Sequence, residues 1–172
     1  MREKLTIAKA SAVHLVPVHE SHTLVFVGED PGAKGDPRLP LYPHPHYSTG
    51  GRLCALTGLC RQKYLETFGR ADLIAEYPGG CWPSAKARAE APRLASRVAP
   101  RPLILLGRAV SQAFQMPTDE WMVWRDYVLD GILIRAASIP HPSGRNPYYR
   151  HHARREAVSS WLKEQVIKHT AT

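Results

Sequence analysis

A chain of 172 residues has the length of one ordinary domain and can bury roughly two-thirds of its unfolded surface. With 44% hydrophobic residues, a mean hydropathy of −0.31 and no apolar run near the ~20 residues of a spanning helix, it is neither a disordered nor a membrane-embedded chain. Twenty-three Lys and Arg against 15 Asp and Glu give a formal charge of +8, which favours a polyanionic partner held through phosphate contacts.

The first apolar stretch runs from Ala12 to Val18. A second, Thr23 to Val27, is short, β-branched and ended by Gly28, as expected of a strand buried in a parallel sheet. A Pro- and His-rich loop from Pro31 to about Ser48 follows, long and rigid enough to shape a site. Thr49 is placed to cap a helix through about Phe68, because Leu53, Leu56, Cys60, Tyr64 and Phe68 recur at helical spacing. Asp72 to Tyr77 reads as a strand stopped by Pro78-Gly79-Gly80, and Ser84 opens a helical stretch interrupted near Pro92.

Pro102 to Leu106 reads as a further strand, followed by Gly107 and a short helix from Arg108 to Phe114. Met122 to Ile139 forms a strand pair turning at Asp130-Gly131. Asn146 and Pro147 open a last helix through Trp161 to about Lys168. Strands alternating with helices indicate a three-layer α/β/α sandwich around a mainly parallel sheet. No repeat, linker or second domain interrupts residues 1 to 172, so a single domain is expected.

Cys54, Cys60 and Cys81 make neither an even disulfide set nor a CxxC pair, so buried reduced thiols are expected. His44 with His46, and His151 with His152, bring imidazoles together, but without HExxH, CxxC or a carboxylate at matched spacing no metal site is expected. Met1-Arg2-Glu3-Lys4-Leu5-Thr6 has no apolar signal core, from which a cytoplasmic protein is expected, or a nuclear one if the source has a nucleus.

Two strand-to-loop corners carry the chemistry. Gly28-Glu29-Asp30-Pro31-Gly32 follows one apolar run and His141-Pro142-Ser143-Gly144 follows another, and ligands bind outside the carboxyl ends of such strands. One corner offers a carboxylate, the other a histidine and a hydroxyl. That set suits hydrolysis of a bond whose leaving group becomes an anion.

Together these strings, GEDPG and HPSGRN, resemble the motif pair of the uracil-DNA glycosylase superfamily, whose first motif is similar to GQDPYH, GEAPG or GINPG and whose second is similar to HPSPLS or NPSGL. The resemblance covers residues 20 to 165, with only the motif segments aligning by eye. It implies a fold of the uracil-DNA glycosylase type and a DNA glycosylase needing no cofactor, active as a monomer on DNA and not at a membrane. Asp30 then orients the attacking water and stabilises the cationic sugar, and His141 donates to the pyrimidine O2. Taken alone, Asp30 also fits an ordinary turn in which it bonds its own backbone, and His141 a histidine paired to backbone.

The resemblance further implies that Gly28 and Glu29 belong to the substrate corner. Gly32 stands where strict uracil enzymes place a tyrosine that excludes C5 substituents, so this chain is expected to tolerate them; a glycine there also simply permits the turn. Tyr42 is the candidate platform for a flipped base, with Tyr47 competing. Glu76 matches the position of an asparagine that reads the base edge, and a carboxylate suits a cytosine-type amino group; a solvated strand-end charge is the alternative. Ser143 and Gly144 are assigned to a neighbouring phosphate, and Arg145 to the gap left by the base. Asn146 and Arg150 belong to a basic, aromatic surface entering the last helix.

The expectation is a monofunctional glycosylase acting on uracil or a C5-modified pyrimidine. Removal of hypermodified cytosine from viral DNA as host defence, a DNA-binding member without chemistry, and a hydrolase or transferase of free nucleosides or nucleotides are the alternatives.

Overall fold

The computed structural model describes residues 21 to 170; the Ala12 to Val18 stretch lies outside the described residues. Five strands form one sheet: β1 (Leu24–Gly28), β2 (Phe68–Asp72), β3 (Leu103–Leu106), β4 (Arg125–Leu129) and β5 (Ile132–Ile139), in the order β2-β1-β3-β5-β4. All neighbours are parallel except β4, which runs antiparallel to β5 at the edge. The expected three-layer α/β/α architecture is the one observed.

Alternation along each strand divides the core between two faces. Val25, Val27, Leu103 and Leu105 pack against α3 (Ser84–Val98) and α4 (Arg108–Ala113). Leu24, Phe26, Ile104 and Leu106 pack on the opposite side with α1 (Thr49–Thr57), α2 (Arg61–Thr67) and α5 (His152–Thr170). Both faces are covered, which is why β1 and β3 are buried at every position.

Several expectations need correction. The helix expected from Thr49 to Phe68 is two helices: Gly58 ends α1 in the left-handed region (φ 72°), and Cys60 starts α2. Its cap is Ser48, whose side chain accepts from the Gly51 N–H at 3.0 Å. Leu53, Leu56, Tyr64 and Phe68 still share one core, so the periodicity reported burial correctly but not continuity. The strand expected at Asp72 to Tyr77 lies four residues earlier, at Phe68–Asp72. Leu73 and Ile74 are buried as loop, their N–H groups donating to the Gly28 and Glu29 carbonyls at 2.9 Å each.

Pro92 does not interrupt α3. A proline inside a helix costs about 3 kcal/mol through its lost hydrogen bond and ring clash, and this is offset because Ala87, Ala91, Leu94, Ala95 and Val98 bury one full apolar stripe against the sheet. Of the cysteines only Cys54 is buried; Cys60 and Cys81 are exposed. The hairpin at Asp130-Gly131 is present, with φ of 49° and 81° as its primed turn requires. Asn146 caps a short 3-10 turn, Pro147–Arg150, before α5 begins at His152. Among the described residues no helix is long and apolar enough to cross a membrane.

Because β1, β2, β3 and β5 run parallel, their carboxyl ends meet along one edge of the sheet. From β1 the chain goes to β2 on one side, and from β2 it returns to β3 on the other, which makes β1/β3 a point where strand order reverses. A crevice at that point is the usual ligand site of such sheets.

Candidate active site

A cavity of about 600 Å³ opens at this edge, lined among others by Glu29, Asp30, Gly32, Tyr42, Asp72 and His141. Both motif corners therefore face one space. The loop after β1 supplies Glu29 to Gly32, the loop after β5 supplies His141, and the Pro-rich segment from Pro31 to Ser48 forms the outer wall.

Asp30 is half-buried, and its Oδ1 accepts the Gly32 N–H at 2.7 Å. The turn reading and the catalytic reading thus describe one arrangement: the turn fixes the carboxylate, and Oδ2 takes no part in it. Gly32 holds φ 70°, and a Cβ there would meet nothing within 4 Å, so the wall that a large side chain would build is replaced by open space.

His141 is half-buried, and the Ser143 N–H donates to its Nδ1 at 3.3 Å. A backbone N–H only donates, so Nδ1 is the acceptor and the ring hydrogen sits on Nε2. Burial pushes the imidazole down to about 4, leaving a neutral ring at physiological pH. The site therefore holds an N–H donor that carries no charge of its own.

Asn146 fixes this corner. Its Nδ2 donates to the His141 carbonyl at 2.9 Å and its Oδ1 accepts the Tyr148 N–H at 3.0 Å. Both ends bond within the loop, so Asn146 holds the His141 corner in place. Tyr149 donates from its hydroxyl to the Pro140 carbonyl at 2.6 Å. Gly107, at φ 88°, lets the corner pack closely: a Cβ there would lie 2.9 Å from His141 Cβ and 3.4 Å from Glu29 Oε1.

Glu29 thus lies beside the end of β3, within the cavity. Its carboxyl is raised by burial first and by Asp30 second. Tyr42 and Tyr47 both line the cavity, Tyr42 half-buried and Tyr47 66% exposed, so the better-held ring is Tyr42.

The structure does not bring Glu76 to the cavity. Glu76 is exposed and outside the cavity lining, because β2 ends at Asp72, five residues before the expected end at Tyr77. Asp72 occupies the cavity instead, 4% exposed. Burial, and then Asp30, push its carboxyl up to about 7. The glycine at position 28 makes room for it: a Cβ there would lie 2.6 Å from Asp72 Oδ1 and 3.1 Å from Leu41 Cδ2.

Around the second motif, Ser143 is half-buried while Gly144, Arg145 and Arg150 are exposed. Arg52 of α1 reaches this loop: its Nε donates to the Tyr47 carbonyl at 3.0 Å, and its Nη2 would lie 2.7 Å from a Cβ on Gly144. Sequence reasoning missed Arg52, whose only signal is a basic residue one turn into the helix after the Pro-rich loop. A neighbouring cavity of about 440 Å³ shares His141 and is lined by Arg108, Trp121, Tyr148, His151 and Arg154. Trp121 had no signal of its own.

The arrangement is a set of carboxylates and a neutral imidazole lining one cavity of ligand size, bordered by arginines and aromatic rings. No family model and no curated protein matches the chain.

Proposed function

We propose that the protein is a monofunctional DNA glycosylase of the uracil-DNA glycosylase type, hydrolysing the N-glycosidic bond of uracil or a C5-modified pyrimidine flipped out of DNA. The observation that carries this reading is the placement of Asp30 and the Nε2–H of His141 on two loop corners bordering one cavity. Cleaving the bond builds positive charge on the deoxyribose and negative charge on the departing base. A carboxylate at the sugar and a neutral donor at the base oxygen lower that barrier.

In this mechanism Asp30 orients a water towards C1′ and receives its proton, while His141 donates to the pyrimidine O2. The ring of Tyr42 replaces stacking lost on flipping. Ser143, Gly144, Arg145 and Arg150, together with Arg52, hold the strand, and the Trp121/Tyr148 cavity offers a neighbouring nucleotide a stacking surface with Arg108 and Arg154 at hand for phosphate.

The open space beside Gly32 supports the version in which the base carries a C5 substituent, hypermodified cytosine in viral DNA included. A DNA-binding member without chemistry and a hydrolase of free nucleosides are the competing readings. Oligonucleotides containing uracil, mismatched thymine or modified cytosine, assayed for abasic sites, decide among them. Asp30→Asn should lower turnover by roughly 10²–10⁴-fold while leaving DNA affinity in place. Unchanged product formation removes Asp30 from its role, and a folded protein inactive on every oligonucleotide removes the glycosylase reading.

A further inference from the structure

Tyr64 of α2 is fully buried and outside the cavity lining, yet its hydroxyl reaches the loop that carries Tyr42. Its ring packs against Phe26 of β1 at 6.1 Å and Phe68 of β2 at 5.5 Å between centroids, and the Arg70 guanidinium lies over it at 5.9 Å. A side chain held on the sheet by three such neighbours has little freedom of its own. From that anchor the hydroxyl donates to the Leu41 carbonyl at 3.2 Å. Burial pushes the phenol far above its ordinary range, so the hydrogen stays in place to be donated.

The Leu41 carbonyl belongs to the planar peptide unit that enters Tyr42. The N–H of that same unit donates to the Leu39 carbonyl at 3.3 Å. The unit that leaves Tyr42 is held at its own carbonyl by the Ser48 hydroxyl, at 3.4 Å. With both planes held, φ and ψ of Tyr42 are set, and with them the direction of its Cα–Cβ bond. Leu41 pays for this with a φ of 49°, which a leucine keeps only where its surroundings over-determine it. The first turn of α1 packs tightly against the same two units, since a Cβ on Gly50 would collide with the Leu41 and Tyr42 carbonyl oxygens.

We propose that Tyr64, seconded by Ser48, is a positioning residue for Tyr42: its hydroxyl carries the rigidity of the core to the peptide unit that aims the platform ring at the flipped base. This rests on the glycosylase reading and adds to it a residue that never touches the substrate. A ring aimed in advance spares the ordering of a long loop at the moment of binding. The stacking it offers is made alike in the ground state and the transition state, so its loss falls on KM more than on kcat.

The test is a double-mutant cycle on abasic-site formation, run with whichever of the uracil, mismatched-thymine or modified-cytosine oligonucleotides the wild type cleaves. Tyr64→Phe keeps the ring and removes only the hydroxyl. With Tyr42 present it should lower kcat/KM by about fivefold or more, mainly by raising KM. In a Tyr42→Ala background the same substitution should change kcat/KM by less than about twofold, because no ring is left to aim. A tyrosine that merely stabilised the fold would cost as much in either background. Ser48→Gly removes the second bond while leaving the helix cap nearly intact; it should show the same dependence on Tyr42, and it decides the matter if Tyr64→Phe does not fold. Equal losses in both backgrounds, no loss in either, or a Tyr42→Ala substitution without effect overturn the proposal and leave the glycosylase reading standing. A folded wild type that forms no abasic site on any of the oligonucleotides removes both.

Discussion

His141 and Asp72 show one cause acting on opposite kinds of group: burial disfavours charge, so the base is pushed down to about 4 and the acid up to about 7. Their effects on stability have opposite signs. The unfolded chain protonates His141 near 6.5, above its folded value, so the contribution of this residue is complete above that pH and is lost as pH falls towards about 4. For Asp72 the folded value lies above the unfolded 3.8, so its contribution is complete below 3.8 and is lost as pH rises through about 7. Replacing Asp72 by Asn removes that second loss. Thermal melting of Asp72→Asn and wild type should agree closely near pH 4, and the variant should be the more stable at pH 7.5 by on the order of 2–4 kcal/mol. An equal difference at both pH values would mean that the folded protein does not hold this carboxyl protonated. A stabilising substitution in the cavity would mark a position kept for function at the expense of stability.

At the scale of elements, the site depends on how closely strand ends and loops approach. Gly107 at the end of β3 holds φ 88° and ψ 169°, a region open essentially to glycine alone. It also lies where a Cβ would come within 2.9 Å of His141 Cβ. Gly107→Ala should therefore lower stability by about 1–3 kcal/mol and, by displacing the imidazole, lower turnover about 10- to 100-fold. Chemical denaturation and single-turnover rates check the two effects separately, and a variant with normal rates would show that the position of His141 does not depend on this contact. The same dependence on tertiary approach explains what the sequence could reveal. β1, β3 and both motif corners were legible because a buried parallel strand is apolar throughout and ends in glycine or proline. β2 was not, because Phe68-Gly69-Arg70-Ala71-Asp72 carries two polar residues and no β-branched one, while the apolar Leu73 and Ile74 beyond it are buried as loop. That displacement is why the spacing pointed to Glu76, whereas Asp72 is the carboxylate that lines the cavity. The neutral tautomer of His141 was equally hidden, because it depends on one bond folded back from Ser143.

Over the whole molecule the charge is divided. The chain carries a formal +8, yet Glu29, Asp30 and Asp72 gather in one cavity. The cations lie on the loops and helices around it: Arg52 against the second motif, Arg145 and Arg150 exposed beyond it, Arg108 and Arg154 along the adjoining cavity. Under the proposed function such a division separates two tasks, since phosphate contacts would position a strand without regard to sequence while the cavity would take one base. For double-stranded DNA, log affinity should fall linearly with log salt concentration, with a slope of about −0.9 per phosphate neutralised. Arg145→Ala and Arg150→Ala should each reduce the magnitude of that slope by about one and weaken binding to any sequence alike, as read by fluorescence anisotropy between low and physiological salt. Arg88 lies on α3, across the sheet from α1 and α5, and Arg88→Ala removes the same charge from the far face. If all three substitutions change the slope equally, binding follows net charge alone and the surface around His141 has no special claim on the strand. A loss confined to Arg145 and Arg150 ties the positive charge of the molecule to the edge of the sheet that carries the cavity.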